Sequence, residues 1–250
     1  MTVGLIEGNH LGGMMEYLHL EHDGKLLLVD ANGVGPQIPT LGREKSDTWL
    51  MRLPTAEEVS FDWTEKRRNR LDWGKNSATI IHALPHIDWP ENWAWKDDVI
   101  SDSAVHPTAR ESVYRTIHRL VSKVIIQDCE GRVVMAKVKR GHFVGAWTLP
   151  GGYLDYSEHP EVGAVRETME ELGISIDLLN DAPIISENIF SDEGINFVSF
   201  TYRALVDAAN IEFKPKADEI ADVTWLTKEE ALNRAVSWFD IQALKRLIHE

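Results

Sequence analysis

The spacing of apolar positions changes character about two fifths of the way along the chain. In the first part, Met15–Leu20 and Lys25–Val29 are short β-rich runs on either side of His22-Asp23-Gly24, and an Asp-Gly pair suits the tight turn of a hairpin. Thr48–Arg52 and Ala78–Leu84 predict further short strands. Thr55 to Trp73 reads as a helix, because Thr55 is a good N-cap and Glu57 and Glu58 favour the positive end of a helix dipole. Further on, Pro107 to Leu120 predicts a helix opening on an early proline. Val121–Gln127 and Val133–Val138 predict a hairpin around Asp128-Cys129-Glu130-Gly131. Pro183–Phe190, Phe197–Ala204 and Val223–Leu226 predict three more strands. Helices are predicted over Ala164–Leu172, from Thr227 onward with Glu229 and Glu230 in the first turn, and over Phe239–His249. Mixed strands and helices of this kind predict an α+β class, with a sheet carrying helices on both faces.

The polar stretch Lys96–His106, followed by Pro107, marks a boundary. Two domains are therefore expected, a smaller α+β domain over 1–110 and a second over 111–250. A length of 250 residues suits one large domain or two small ones. Residues 1–110 hold six of the nine tryptophans, Trp49, Trp63, Trp73, Trp89, Trp93 and Trp95, and an aromatic core is the expected use of them, with substrate recognition or a dimer interface as the alternatives.

Composition narrows the function classes. Hydrophobic residues are 43% and charged residues 26%, which excludes a mainly disordered chain. The formal charge of −14 argues against general nucleic-acid binding, since a polyanion is repelled. The basic run Lys66-Arg67-Arg68-Asn69-Arg70 is expected to be a solvated helix face, because acidic residues surround it and no second basic cluster supports it. The single cysteine, Cys129, excludes an internal disulfide and a Cys-rich zinc ribbon, and is compatible with a reducing compartment. No run approaches the roughly 18 apolar residues of a membrane span. Met1–Leu20 lacks a basic segment followed by an apolar one, so a cytoplasmic location without a membrane partner is expected.

The chemistry is concentrated in Gly151–Ile174, GGYLDYSEHPEVGAVRETMEELGI. Six acids, Asp155, Glu158, Glu161, Glu167, Glu170 and Glu171, share this stretch with one cation, Arg166. On a helix, His159 or Ser157 caps the start, Pro160 suits the first turn and Gly173 ends it. Val162, Val165, Met169 and Leu172 recur at spacings of three and four, which predicts one buried stripe. Glu167, Glu170 and Glu171 stand at i, i+3 and i+4 and project from one face beside that stripe. Like charges so placed are unfavourable on a bare helix by a few tenths of a kcal/mol. A hard dication with oxygen ligands, Mg²⁺ or Mn²⁺, reverses that sign. A solvated acidic face with ordinary ion pairs to Arg166 accounts for the carboxylates equally well. Pro150-Gly151-Gly152 closes the strand-like run Ala146–Leu149, and paired glycines permit either a simple turn or close approach of a ligand to the main chain.

Taken together, these residues resemble the Nudix box, G-x5-E-x7-R-E-U-x-E-E-x-G-U, where U is a bulky aliphatic. Gly152, Glu158, Arg166, Glu167, Glu170, Glu171 and Gly173 fill all seven fixed positions, Ile174 fills the last U, and Thr168 at the first U is the one departure. Chance gives seven fixed matches on the order of once per 10⁸ start positions. The hairpin from Val121 to Val138, the run GAWTLPGG, and the tail Asp218-Glu219-Ile220 with Val223–Leu226 and a following helix extend the resemblance over 111–250.

The resemblance implies a Nudix-type α/β/α sandwich with a mixed sheet, and hydrolysis of a pyrophosphate bond in a nucleoside diphosphate linked to another group. It implies Mg²⁺ or Mn²⁺ held by Glu167, Glu170 and Glu171, with the Gly151 carbonyl as a further ligand and one glutamate, Glu167 for instance, acting instead as general base. Arg166 would orient the carboxylates, Glu158 among them, and Glu219 would supply a further acid. Arg140 and Trp147 are candidate substrate contacts, although Trp147 is expected to pack under the loop, and Lys139 and His142 are further loop candidates for phosphate. The substrate expected first is ADP-ribose or a nucleotide sugar, and a nucleoside triphosphate comes second. The lone cysteine sets the chain apart from the four-cysteine NADH pyrophosphatase branch, and Cys129 lacks the setting of an isopentenyl diphosphate isomerase nucleophile. A homodimer is compatible with the resemblance. The alternative is a Nudix-fold nucleotide-binding or regulatory protein, which the full set of box carboxylates disfavours.

Overall fold

The computed structural model describes residues 14–46, 48–190 and 194–249. The stretch read above for a leader lies outside them as far as residue 13. The described residues divide into two compact units, one over 14–117 with 190 and 194–195 and one over 118–189 with 196–249.

The first unit contains β1 (Glu16–His22), β2 (Lys25–Leu26), β3 (Val29–Asp30), β4 (Met51–Arg52), β5 (Trp63–Trp73), β6 (Asn76–Pro85) and β7 (Ala94–Trp95), then α1 (Lys96–Ser101) and α2 (Pro107–Thr116). Its five-stranded sheet runs β5-β6-β1-β2-β7, and β3 pairs with β4 separately. The hairpin at Asp23-Gly24 forms as expected, with both residues at positive φ. Alternate residues of β6 feed two cores. Ala78 and Ile80 pack with Leu71, Val99 and Val113, whereas Ile81 and Ala83 pack with Leu18, Leu20 and Trp93.

Thr55 to Trp73 is not a helix. Thr55 and Glu58 do form a capping box, but only one 3-10 turn, Ala56–Glu58, follows before Val59 turns extended. Arg52 takes both Glu58 oxygens at 2.6 and 2.8 Å, which ties that turn to β4. After a register shift between Glu65 and Arg67 the side chains alternate, with Asn69 and Leu71 buried, and the strand pairs antiparallel with β6 across a turn at Gly74. The period is two, and the basic run hid it because long charged side chains occupy the outward positions. Arg68 pairs there with Glu65 and Glu16, and Arg70 with Asp72. The tryptophans depart from an ordinary core as well. Trp93 is buried, but Trp49, Trp89 and Trp95 are about half exposed. Trp89 and Trp95 flank the Lys25 ammonium at 4.9 and 5.1 Å from their ring centres.

The helix predicted to reach Leu120 ends at Thr116, where Ile117 turns extended and leads into the next strand. The expected domain boundary at 110/111 therefore falls inside α2, and the contact division follows Ile117.

The second unit contains β8 (Arg119–Gln127), β9 (Val133–Val138), β10 (Trp147–Thr148), β11 (Gly151–Tyr153), α3 (Pro160–Leu172), β12 (Ile184–Phe190), β13 (Ile195–Leu205), β14 (Ile220–Leu226), α4 (Lys228–Arg234) and α5 (Trp238–His249). Its seven-stranded sheet runs β10-β9-β8-β13-β12, with β11 added to β8 and β14 to β9. The sheet is mixed, since β13 runs parallel to β8 while β11 runs antiparallel to it. Alternation along β8 and β9 builds the two faces. Val124, Ile126, Val134 and Ala136 meet Ala164 and Leu172 of α3. Ile125, Val133 and Met135 meet Ala231 of α4 and Ala243, Leu244 and Leu247 of α5. This is the expected α/β/α sandwich. Among the described residues, no helix is long and apolar enough to cross a membrane.

Candidate active site

The strand β11 and the helix α3 carry the acidic run. Gly151 lies opposite Lys123 of β8, and Gly152 opposite Ser122. Gly151 has φ +140°, and a Cβ there would lie 2.6 Å from the Lys123 Cα, so no other residue fits without displacing backbone. A Cβ on Gly152 would lie 2.7 Å from the Glu167 carboxylate. The glycine pair thus brings the main chain of β11 against the acidic side of α3.

His159 stands at the N-cap of α3 without a side-chain capping bond, Pro160 follows, and Gly173 closes the helix in the left-handed region at φ +67°. The predicted buried stripe is only partly realised. Val162 and Met169 are 55% and 46% exposed, and the buried positions are Gly163, Ala164, Thr168 and Leu172. The reason is close packing. Gly163 faces Leu154 and the Glu158 carboxylate with no room for a Cβ, so a small residue there lets the segment between β11 and α3 pack onto the helix. Thr168 is fully buried and satisfies its hydroxyl by donating to the Ala164 carbonyl at 2.8 Å.

Arg166 organises the carboxylates. Its Nε and Nη2 donate to the two oxygens of Glu158 at 2.8 and 2.9 Å, a bidentate pair. Its Nη1 donates to Glu167 at 2.8 Å and lies 3.5 Å from Glu170, and its Nη2 also donates to the Tyr153 carbonyl at 3.0 Å. The guanidinium pulls the Glu158 pKa down to about 2. Glu171 instead accepts the Gly151 N–H at 3.0 Å. Burial pushes its pKa up to about 7, with the Gly151 bond and the charge of Lys123 opposing the shift and the charges of Glu167 and Glu219 adding to it. Glu167 is raised too, first by burial, then by Glu170 and Glu219, with Arg166 opposing.

The other candidates lie around this centre. Glu219 is mostly buried and pairs with Lys216 at 2.6 Å and with Arg140, while its charge is felt at both Glu167 and Glu171. Arg140 is exposed, lies 3.5 Å from Asp218 and is committed to these acids. Lys139 donates its ammonium to the Ala217 carbonyl at 2.6 Å. Trp147 packs against the core under α4 and α5, with the Arg234 guanidinium 5.7 Å from its ring centre. Cys129 is exposed in the β8–β9 turn. Among the described residues, no three Asp, Glu, His or Cys side chains converge as a preformed metal-binding group. Glu167 is held by Arg166 and Glu171 by the Gly151 N–H, and the two carboxylates feel one another's charge.

Two residues beneath this centre escaped the sequence reading. Lys123 and Asp240 form a buried ion pair, 2.7 Å from Nζ to Oδ1. Their signal was a charged residue inside the apolar run Val121–Gln127 and another on the core face of the last helix, beside Phe239 and Ala243.

Comparison with known proteins bears on the second unit. A MutT-like protein from Streptomyces ambofaciens is 32% identical over 109 residues, 41% of this chain and 62% of the relative. An isopentenyl-diphosphate Delta-isomerase from Streptomyces avermitilis is 31% identical over 132 residues, 49% of this chain and 66% of the relative. An oxidized purine nucleoside triphosphate hydrolase from Mus musculus is 38% identical over 68 residues, 27% of this chain and 43% of the relative. The chain thus spans under two thirds of the length of each of these relatives. The family model for the NUDIX domain matches residues 117–247, which include Gly151, Gly152, Glu158, Glu167, Glu170, Glu171 and Glu219. With more than half of its length matched, the chain belongs to the NUDIX family.

Proposed function

We propose that the chain is a metal-dependent hydrolase that cleaves the pyrophosphate bond of a nucleotide derivative, with its centre on the acidic side of α3. The observation that carries this is the setting of Glu167 and Glu171. Both are held near the β11 main chain, and both resist ionisation because burial and neighbouring acids leave their negative charge under-compensated. A hard dication is the natural compensation, and an all-oxygen donor set of Glu167, Glu170, Glu171 and the Gly151 carbonyl fits Mg²⁺ or Mn²⁺. When bound, such an ion neutralises phosphate charge and lowers the pKa of a bound water.

The protein's own groups supply the rest. Arg166 orients Glu158, Glu167 and Glu170 through charge-assisted bonds. Without metal, burial holds the Glu171 proton near neutrality, a proton that a bound ion would displace, and Glu167 is the candidate general base. Gly152 gives the Glu167 carboxylate the room that a Cβ would take. Glu219, whose charge is felt at both acids, is a further positioning acid, and Arg140 beside it is a candidate cation for a phosphate.

A nucleoside triphosphate is the first substrate class to test, because the mouse relative is named for hydrolysing one. ADP-ribose or a nucleotide sugar is the second. Isomerisation is not favoured, since Cys129 stands exposed in the β8–β9 turn and not on β11 or α3. The test is turnover of dGTP, its oxidised form and ADP-ribose with Mg²⁺ and with a chelator, products being identified by mass. Metal-dependent release of a nucleoside monophosphate is expected. Binding without turnover on all three would favour the regulatory alternative.

A further inference from the structure

We propose that Lys123 and Asp240 are a buried positioning pair that fixes the Gly151 backbone and, through its N–H, the carboxylate of Glu171. The proposal rests on the acidic side of α3 being the reactive centre, but its geometry lies on the opposite face of the sheet. Asp240 is fully enclosed, and the Lys123 side chain nearly so. One Asp240 oxygen accepts the Leu149 N–H at 3.1 Å, and the other faces the Lys123 ammonium at 2.7 Å, an ion-pair approach off the ideal hydrogen-bond line. Leu149 is two residues before Gly151, and Lys123 is its partner across the β8–β11 ladder. Asp240 therefore grips Gly151 from both sides, along the chain and across the sheet.

Stability does not explain the pair. Lys123 and Asp240 lie beside the core of Ile125, Leu149, Ala243 and Leu244, where well-packed apolar residues are as stable as a buried ion pair or more so. Position does explain it. Gly151 has φ +140° and is pressed onto the Lys123 backbone with no space for a Cβ, so a shift of Lys123 moves Gly151 directly. The same N–H of Gly151 carries Glu171 at 3.0 Å.

The test needs no substrate. Amide hydrogen exchange is read by NMR on the full chain for wild type, for the charge-free Lys123→Met/Asp240→Asn variant, and for Leu247→Ala, a core truncation in α5 that lowers stability without touching the pair. Asn at 240 keeps an acceptor for Leu149. The pair predicts that Gly151 exchanges faster by about tenfold or more in the double variant than in Leu247→Ala at matched global stability, while amides of β9 and β14 stay alike. Equal Gly151 exchange in the two variants would overturn the proposal. Should the double variant not fold, Asp240→Asn alone is compared against the same control with the same two outcomes. Loss of wild-type turnover on every nucleotide would sink the functional reading but leave this measurement intact.

Discussion

Replacing Glu171 by Gln should make metal-free protein more stable at neutral pH, an unusual outcome for a residue placed at a reactive centre. The folded pKa is about 7 against an ordinary 4.5, with burial as the largest cause. A raised carboxyl pKa means that the folded state binds this proton more tightly than the unfolded chain does. The resulting stabilisation is complete below about pH 4.5 and is lost as pH rises through 7. A shift of that size corresponds to at most about 3 kcal/mol. Water at the rim and coupling to Glu167 and Glu219 reduce the realised figure to about 1–2 kcal/mol. Gln at 171 keeps an oxygen for the Gly151 N–H but carries no charge. Urea denaturation with a chelator at pH 5 and pH 8 is the assay. Relative to wild type, Glu171→Gln should gain about 1–2 kcal/mol between the two pH values. A difference between wild type and variant that stays level from pH 5 to pH 8 would refute the burial argument. With Mg²⁺ present the advantage should shrink, because the ion takes the deprotonated form.

Gly152→Ala should leave the fold intact, since only the flexible end of Glu167 obstructs the new methyl, yet lower kcat by about 100-fold through displacement of that carboxylate; unchanged kcat would contradict the closeness of β11 to α3. Arg166→Lys should keep the far-ultraviolet circular dichroism spectrum but lose about tenfold or more in kcat, because an ammonium cannot fork to both Glu158 oxygens and reach Glu167; full activity would show that charge alone suffices. In the first unit, burial depresses the His82 pKa to about 3, and its ring lies 4.6 Å from that of His19, itself depressed by burial. Stability from a neutral buried histidine is present above about pH 6.5 and lost as pH falls. Tm should therefore drop less between pH 7 and pH 5 in His82→Asn than in wild type, and parallel curves would count against a neutral buried pair.

The second unit was legible from the sequence because its signals are periodic or fixed in spacing. The β8–β9 hairpin, the helix stop at Gly173 and the capping box of Thr227 with Glu230 all form where local chemistry demands them. The burial of α3 was misjudged because hydrophobicity was read without packing distance. Val162 and Met169 fit the period, but Gly163, Ala164 and Thr168 fit the gap. β5 was misread as a helix because its capping signal at Thr55 is genuine but belongs to one turn, and because outward arginines masked alternation that only Asn69 and Leu71 reveal. At the candidate site, Arg166, Glu167 and Glu171 each meet β11, whereas Glu158 and Glu170 meet Arg166. The pairing of Glu219 with Arg140 and Lys216, and of Lys123 with Asp240, joins positions far apart in the chain, which spacing cannot show.

The most direct test of the acidic centre is a Mn²⁺ titration followed by electron paramagnetic resonance of the free ion. Wild type should bind Mn²⁺ more tightly as pH rises from 6 to 8, and Glu171→Gln should lose about tenfold or more in affinity together with that pH dependence. Mn²⁺ affinity that is the same in both proteins, or that ignores pH, would contradict a dication site on the acidic side of α3.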